Sequence, residues 1–337
     1  MMSRRLSSLL GLIAAAGLAA AAHAAPTYAV VDHIKLADGN FDYSSFDPVH
    51  RRFYIGRTGG VTALDVDTKT LTMLDSQAQR THEPLVLNNG ANLLVTDSGT
   101  SSVHILDALT GAAVAEIPTD KGPDGAFYDR ASGLALVING HAGVLTLIDP
   151  KTWKAVGTIA VGGGLEFGDA DGAGKAFVNI EDQNQIAVVD IRARTVLARY
   201  PLKGCTGPGG LAYVPDAGVL ISACGNGVAK VIRASTGEDI ATLAIGKFAD
   251  AVIYDPARKL AFIPCALEGV LEVIAVRGPN DVAIIQTAKT QQGARSGAVD
   301  PKTGILYLPT AHYALSPTGG RPTPVPGTFE ILVVAPN

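Results

Sequence analysis

The chain is short of charge, aromatic rings and cysteine. Only 17% of its 337 residues are charged, 6% are aromatic, one is Trp and three are Cys. Low charge here goes with 47% hydrophobic residues, so the composition excludes a disordered chain. There is no basic excess. The formal net charge is −4, and nucleic acid is not an expected partner, because phosphate binding needs a cationic surface. No HxH, HExxH or CxxC spacing occurs, nor a Gly-rich loop opening a helix, a nucleophile elbow or a haem-attachment CxxCH. Dinucleotide binding, serine-hydrolase chemistry and c-type haem are thereby set aside.

Long apolar runs are equally scarce. One begins at Leu9 and ends at Ala22, preceded by Arg4 and Arg5 and followed by Ala22, His23 and Ala24 in a small-x-small order. At about 14 residues it falls short of the about 20 that cross a bilayer, and the pattern is that of a cleaved signal peptide over 1–24. The expectation is an exported, periplasmic or secreted protein, with 25–337 as the mature domain. Losing Arg4 and Arg5 moves the charge to −6, since no acidic residue leaves with them. In an oxidising compartment three Cys predict one disulfide and an odd thiol.

What is abundant is β-turn chemistry, with 38 Gly and 19 Pro, and it recurs. VTALD, VHILD, LTLID and IAVVD end at Asp65, Asp107, Asp149 and Asp190, and the register continues through AKVIR to Arg233, LEVIA to Ala275 and EILVV near the C-terminus. The first five spacings are 42, 42, 41, 43 and 42 residues. The last is one period plus an excess that contains the Pro/Gly-rich segment 316–327. Turn residues keep the same time at Asp47, Asn89, Asp129, Asp171, Asp216, Asp255 and Asp300. Such a period, built of short β-runs and tight turns, specifies propeller blades.

We therefore expect an all-β, seven-bladed β-propeller of four-stranded blades, blade 3 having strands near 125–129, 134–138, 144–149 and 154–159. The chain stops after a third-strand run, 331–335, so the last blade lacks an outer strand. The spare run 28–36 (YAVVDHIKL) is expected to supply it and to close the ring, removing a free edge.

The cadence in GPDGAFYDRASGLALVINGHAGVLTLIDPKT, and the last blade QQGARSGAVDPKTGILYLPTAHY with RPTPVPGTFEILVV, resemble the YVTN-repeat (YncE-like) seven-bladed propellers of bacterial envelopes. The literal tetrapeptide is missing, its nearest forms being LVTD, LVIN and FVNI. The resemblance covers the mature chain and implies an envelope protein without a common activity.

In a propeller the links between blades and the turns between second and third strands surround one channel mouth, where polar groups can meet a ligand. The links bring Tyr43, His82, Glu83, Asp124, Glu166, Cys205, Asp250 and Arg295, and the turns bring Arg57, Asp97, Asn139, His141, Glu181, Cys224, Cys265 and His312. The segment 316–327 is expected over the same mouth as a lid or docking loop. His82, Glu83, Asp124 and Glu166 are candidates either for a divalent cation or for acid and base in lactone opening or elimination, and equally are the polar groups any solvated loop carries. Arg295 is placed either to clamp an anionic group or to pair with Asp250 or Glu166. Tyr43, Asn139, His141 and His312 complete the candidate ligand-binding set. Cys205 and Cys224 stand within expected disulfide reach, with Cys265 one period on; free thiols, or a thiolate copper or zinc site with His312, are the competing readings.

Two functions remain. One is a non-catalytic binding module for an envelope protein, peptide or small molecule, with no certain cofactor. The other is a metal-assisted lactonase or lyase acting on a small carbohydrate-like substrate. A monomer is expected.

Overall fold

The computed structural model describes residues 26–314 and 323–337. The stretch expected to be a signal peptide, and most of the expected lid, lie outside the described residues. Among the described residues the strands form seven four-stranded sheets and one two-stranded ribbon.

Blade 1 runs through Phe41–Asp47, Arg52–Arg57, Gly60–Asp65 and Thr70–Asp75, each strand antiparallel to the last. Blade 3, through Pro123–Asp129, Leu134–Asn139, Val144–Asp149 and Lys154–Ala160, matches the spacing expected from the repeat. Blades 2, 4, 5 and 6 repeat the pattern, and the innermost strands contact their neighbours around the ring.

The recurring aspartates are turn-formers. Asp129, fully buried, accepts the Ser132 N–H at 2.8 Å, and Asp300 accepts that of Lys302 at 2.9 Å, bending the innermost strand into the second. Asp65 and Asp107 take N–H donors from Thr68 and Thr110, both at 2.8 Å, at the turn into the outer strand. The Thr68 N–H holds the Asp65 carboxyl below its ordinary range, and the Thr110 hydroxyl, followed by its N–H, does the same for Asp107.

Cores form between blades. Leu136, Leu145 and Leu147 of blade 3 pack with Val178, Ile180 and Val189 of blade 4, all fully buried, at about 1.5–3 kcal/mol for each large side chain. Burial on both faces explains why these strands read as apolar runs rather than alternating ones.

The ring closes as expected. Blade 7 takes Ala298–Val299, Leu306–Thr310 and Glu330–Pro336 from the C-terminal end, and Tyr28–Lys35 is its outer strand. Tyr28 N–H donates to Gln286 Oε1 at 2.7 Å, Gln286 Nε2 donates back to the Tyr28 carbonyl at 2.8 Å, and the Tyr28 ring meets Phe262 edge-on at 4.8 Å. The closing strand is thus fastened to blade 6 as well as blade 7.

Candidate functional site

In blades 1 to 5 the innermost strand begins with a β-bulge: Phe41 pairs with Arg57 and Ser44 with Ile55, so Asp42 and Tyr43 together oppose Gly56. The same shift separates Thr81 from Pro84, Pro123 from Ala126, Leu165 from Gly168 and Pro208 from Leu211. A bulge re-aims the side chains within it. The residue after the first paired position is Asp42, His82, Asp124, Glu166 and Gly209 in turn. In blades 6 and 7 the same position, counted back from Asp255 and Asp300 as Asp42 is from Asp47, holds Asp250 and Arg295. Each blade therefore places one equivalent residue at the mouth, and six of the seven are ionisable.

Five of these six meet one another, and Glu166 is reached through Tyr43. His82 Nδ1 lies 2.6 Å from Asp42 Oδ2 and 3.1 Å from Asp124 Oδ1, while His82 Nε2 lies 2.7 Å from Ser98 Oγ. Arg295 Nε pairs with Asp250 Oδ2 at 2.5 Å; its Nη2 is 3.8 Å from Asp42 Oδ1, and the guanidinium sits 5.0 Å from the centre of the Phe41 ring. Tyr43 OH donates to Glu166 Oε1 at 2.9 Å. Of the two roles open to Arg295, pairing with Asp250 is the one formed.

The close fit rests on glycine. A Cβ on Gly56 would stand 1.9 Å from the His82 carbonyl, so only glycine lets blade 1 approach the His82 backbone this closely. In blade 5, a Cβ on Gly210 would stand 2.5 Å from the Ala251 carbonyl carbon, and Gly209 leaves the ring one side chain short.

The ring is short of positive charge, and its acids respond. Burial pushes Glu166 up to about 8, with the Asp124 charge adding to it. Burial also pushes Asp124 up to about 6 against the opposing pull of His82. Burial works against a charged imidazole, yet the Asp42 hydrogen bond and the Asp124 charge raise His82 overall. Glu83, 4% exposed, is pushed well above the carboxylate range, chiefly by burial.

Glu83 belongs to a second layer. With Tyr43, Ser44, Phe167, Tyr254 and Ser296 it lines a central cavity of about 370 Å³. The Ser44 and Tyr254 hydroxyls are buried there without hydrogen-bond partners among the described residues. Such a cavity, mostly apolar with a few polar groups, has room for water or a small ligand.

The other sequence candidates fall elsewhere. Asn139 is fully buried, and its amide donates to Thr146 Oγ1 at 2.8 Å and to the Val144 carbonyl at 3.0 Å, which occupies it in shaping its own hairpin. His141 and His312 are exposed, and no hydrogen bond or ion pair joins them to the ring among the described residues. Arg57 donates to the carbonyls of Asn40 and Ala37, both at 2.7 Å, and braces the closing segment. Asp97 gathers the N–H groups of Gln79, Arg80 and Gly99. Cys205 and Cys224 form a disulfide with Cα atoms 5.5 Å apart. Cys265 is free and buried, its thiol pushed up to about 12 by burial.

Asp42 is the ring member that the link-by-link reading lacks, since that reading puts Tyr43 in its place. Its signal was the offset: Asp42 precedes Asp47 by the same interval as Asp124 precedes Asp129. Ser98, which buttresses His82, gave no signal.

No family model matches the chain, and no curated protein matches it. Among solved structures it is similar to Kuenenia stuttgartiensis hydrazine synthase, with 16% identity and a TM-score of 0.71 over 88% of this chain and 97% of that one. It is likewise similar to a chain in the crystal structure of a mitotic checkpoint complex, with 13% identity and a TM-score of 0.71 over 91% and 95%. The chain is a β-propeller. At these identities the likeness extends to the fold alone. The propeller's disulfide fits an oxidising compartment, and no helix among the described residues is long and apolar enough to cross a membrane.

Proposed function

We propose that the protein is an exported, periplasmic propeller of the YVTN-repeat kind, with a signal peptide over 1–24, that binds its ligand at the channel mouth. One observation carries the reading: equivalent positions in six blades present Asp42, His82, Asp124, Glu166, Asp250 and Arg295 around one axis. A solvated loop set would scatter such groups, whereas here five of them bond one another across blade boundaries and Glu166 bonds Tyr43 of blade 1. The repeat cadence supports the family reading, and the Cys205–Cys224 disulfide supports export.

The ligand is an envelope peptide, a protein segment or a small polar molecule. A thermal-shift screen against such compounds tests the site, because a ligand at 100 times its Kd adds about 2.7 kcal/mol. The expected result is a shift that disappears in Glu166→Gln and Arg295→Gln. A ligand that shifts both variants as strongly as the wild type overturns the placement at the mouth. N-terminal sequencing of protein from the periplasm is expected to begin at Ala25.

The protonated Glu166, within the field of Asp124, favours one second reading. A carboxylic acid held near 8 donates a proton at neutral pH, as lactone opening or elimination requires. Turnover of a lactone panel, lost in Glu166→Gln, would establish it; no turnover leaves the binding module.

A further inference from the structure

Asp42, His82 and Asp124 each offer one ligand atom, and these atoms lie within 4.8 Å of one another, the one such group among the described residues. We infer that this triad is a binding site for a divalent transition ion of the zinc class. The inference deepens the proposed use of the channel mouth and rests on it only for location.

The geometry around one nitrogen is the first ground. His82 Nδ1 faces two carboxylates at once, 2.6 Å from Asp42 and 3.1 Å from Asp124. A ring nitrogen carries either one proton or one lone pair, so it satisfies one of them at a time. Asp124 Oδ1 is the one left over, buried and without a hydrogen-bond partner among the described residues. A cation satisfies both oxygens and the nitrogen together. Ligand atoms around a tetrahedral zinc ion with bonds of about 2.0 Å stand about 3.3 Å apart, so the two nitrogen–oxygen separations need to open by less than about 1 Å, and the two carboxylates already lie within 4.8 Å of each other.

The support behind the histidine is the second ground. Nε2–H can donate to Ser98 Oγ at 2.7 Å, which orients the ring and leaves the Nδ1 lone pair for the ion. Ser98 is itself placed by its N–H bond to the Arg80 carbonyl at 3.1 Å. On the other side, Ser296 Oγ donates to the Asp42 carbonyl at 2.6 Å and fixes that backbone across the ring closure.

Charge is the third. Beside the triad stands Glu83, 4% exposed, its N–H donating to Thr96 Oγ1 at 2.8 Å. Arg295, the one permanent cation of the ring, is already engaged by Asp250. Asp42, Asp124 and the buried Glu83 thus crowd together, faced by His82 and by the more distant charges of Arg80 and Arg295. An imidazole with two carboxylates suits zinc, whereas calcium and magnesium prefer oxygen alone. Three protein ligands leave a fourth position for water or ligand.

The test is calorimetric titration of Zn²⁺ into tag-free protein stripped with a chelator. One equivalent is expected, undisturbed by excess Ca²⁺ or Mg²⁺. Ser98→Ala is expected to weaken binding about 10–100-fold, as loss of an outer partner does, and His82→Ala and Asp124→Asn to weaken it further. His33→Ala, on the exposed closing strand, is expected to bind as the wild type. Asp124→Asn keeps the side-chain shape, so it reports even if His82→Ala fails to fold; circular dichroism checks both. Co²⁺ in place of zinc is expected to show visible bands that Asp124→Asn alters. A folded wild type that takes up no zinc, or uptake that survives Asp124→Asn and His82→Ala, overturns the inference. Neither result bears on the ligand screen, which needs no metal.

Discussion

Asp250 and Arg295 occupy the same position in neighbouring blades, and their side chains form an ion pair at 2.5 Å while the Asp250 N–H donates to the Arg295 carbonyl at 3.2 Å. The two links bond to each other, and the innermost strands of their blades are correspondingly short, Ile253–Asp255 and Ala298–Val299.

That pair is expected to be worth more than a surface bridge and less than a fully buried one, its side chains being 27% and 36% exposed. Arg295→Gln should cost about 1–3 kcal/mol in urea unfolding. Adding Asp250→Asn should restore part of the loss, because the stranded carboxylate is then gone. A double variant whose cost equals the sum of the singles would show that the pair is not coupled.

Glu166 should make the propeller less stable as pH rises. Its pKa in the folded protein is about 8, above the ordinary 4.5, so the native state holds the proton more tightly than the unfolded chain does. Its contribution is complete below about 4.5 and is lost as pH climbs through 8. The melting temperature should fall over that window in the wild type, and the fall should be smaller in Glu166→Gln. Parallel curves for the two proteins would contradict the buried, protonated acid.

The cysteines should behave as two classes. Reduction, or Cys224→Ala, opens a loop with a sequence separation of 19 and should cost about 3 kcal/mol. Cys265 should resist alkylation in the native protein and react once unfolded, since it is buried and its thiol is pushed up to about 12. Mass spectrometry of alkylated native and unfolded protein checks both. Rapid native labelling of Cys265 would mean that blade 6 opens.

The sequence by itself determined the architecture. A 42-residue period, the aspartates that cap each hairpin, and the spare run around Tyr28 are local features, and local hydrogen bonding and burial suffice to turn them into seven blades and a closed ring. Cys205 and Cys224 were legible for the same reason, being brought together by one hairpin. The site was legible only in outline. His82, Asp124, Glu166 and Arg295 could be placed near the mouth by counting, but the period does not say which residue of a link faces the axis. That direction is set by the bulge, which exists only once the innermost strand pairs with the second and one residue is left over. One step of register exchanges Asp42 for Tyr43, and sends Glu83 to the cavity while His82 stays in the ring. Contacts between blades, such as Arg295 with Asp250, join residues 45 positions apart whose meeting depends on how one blade packs on the next. Only the tertiary structure decided them.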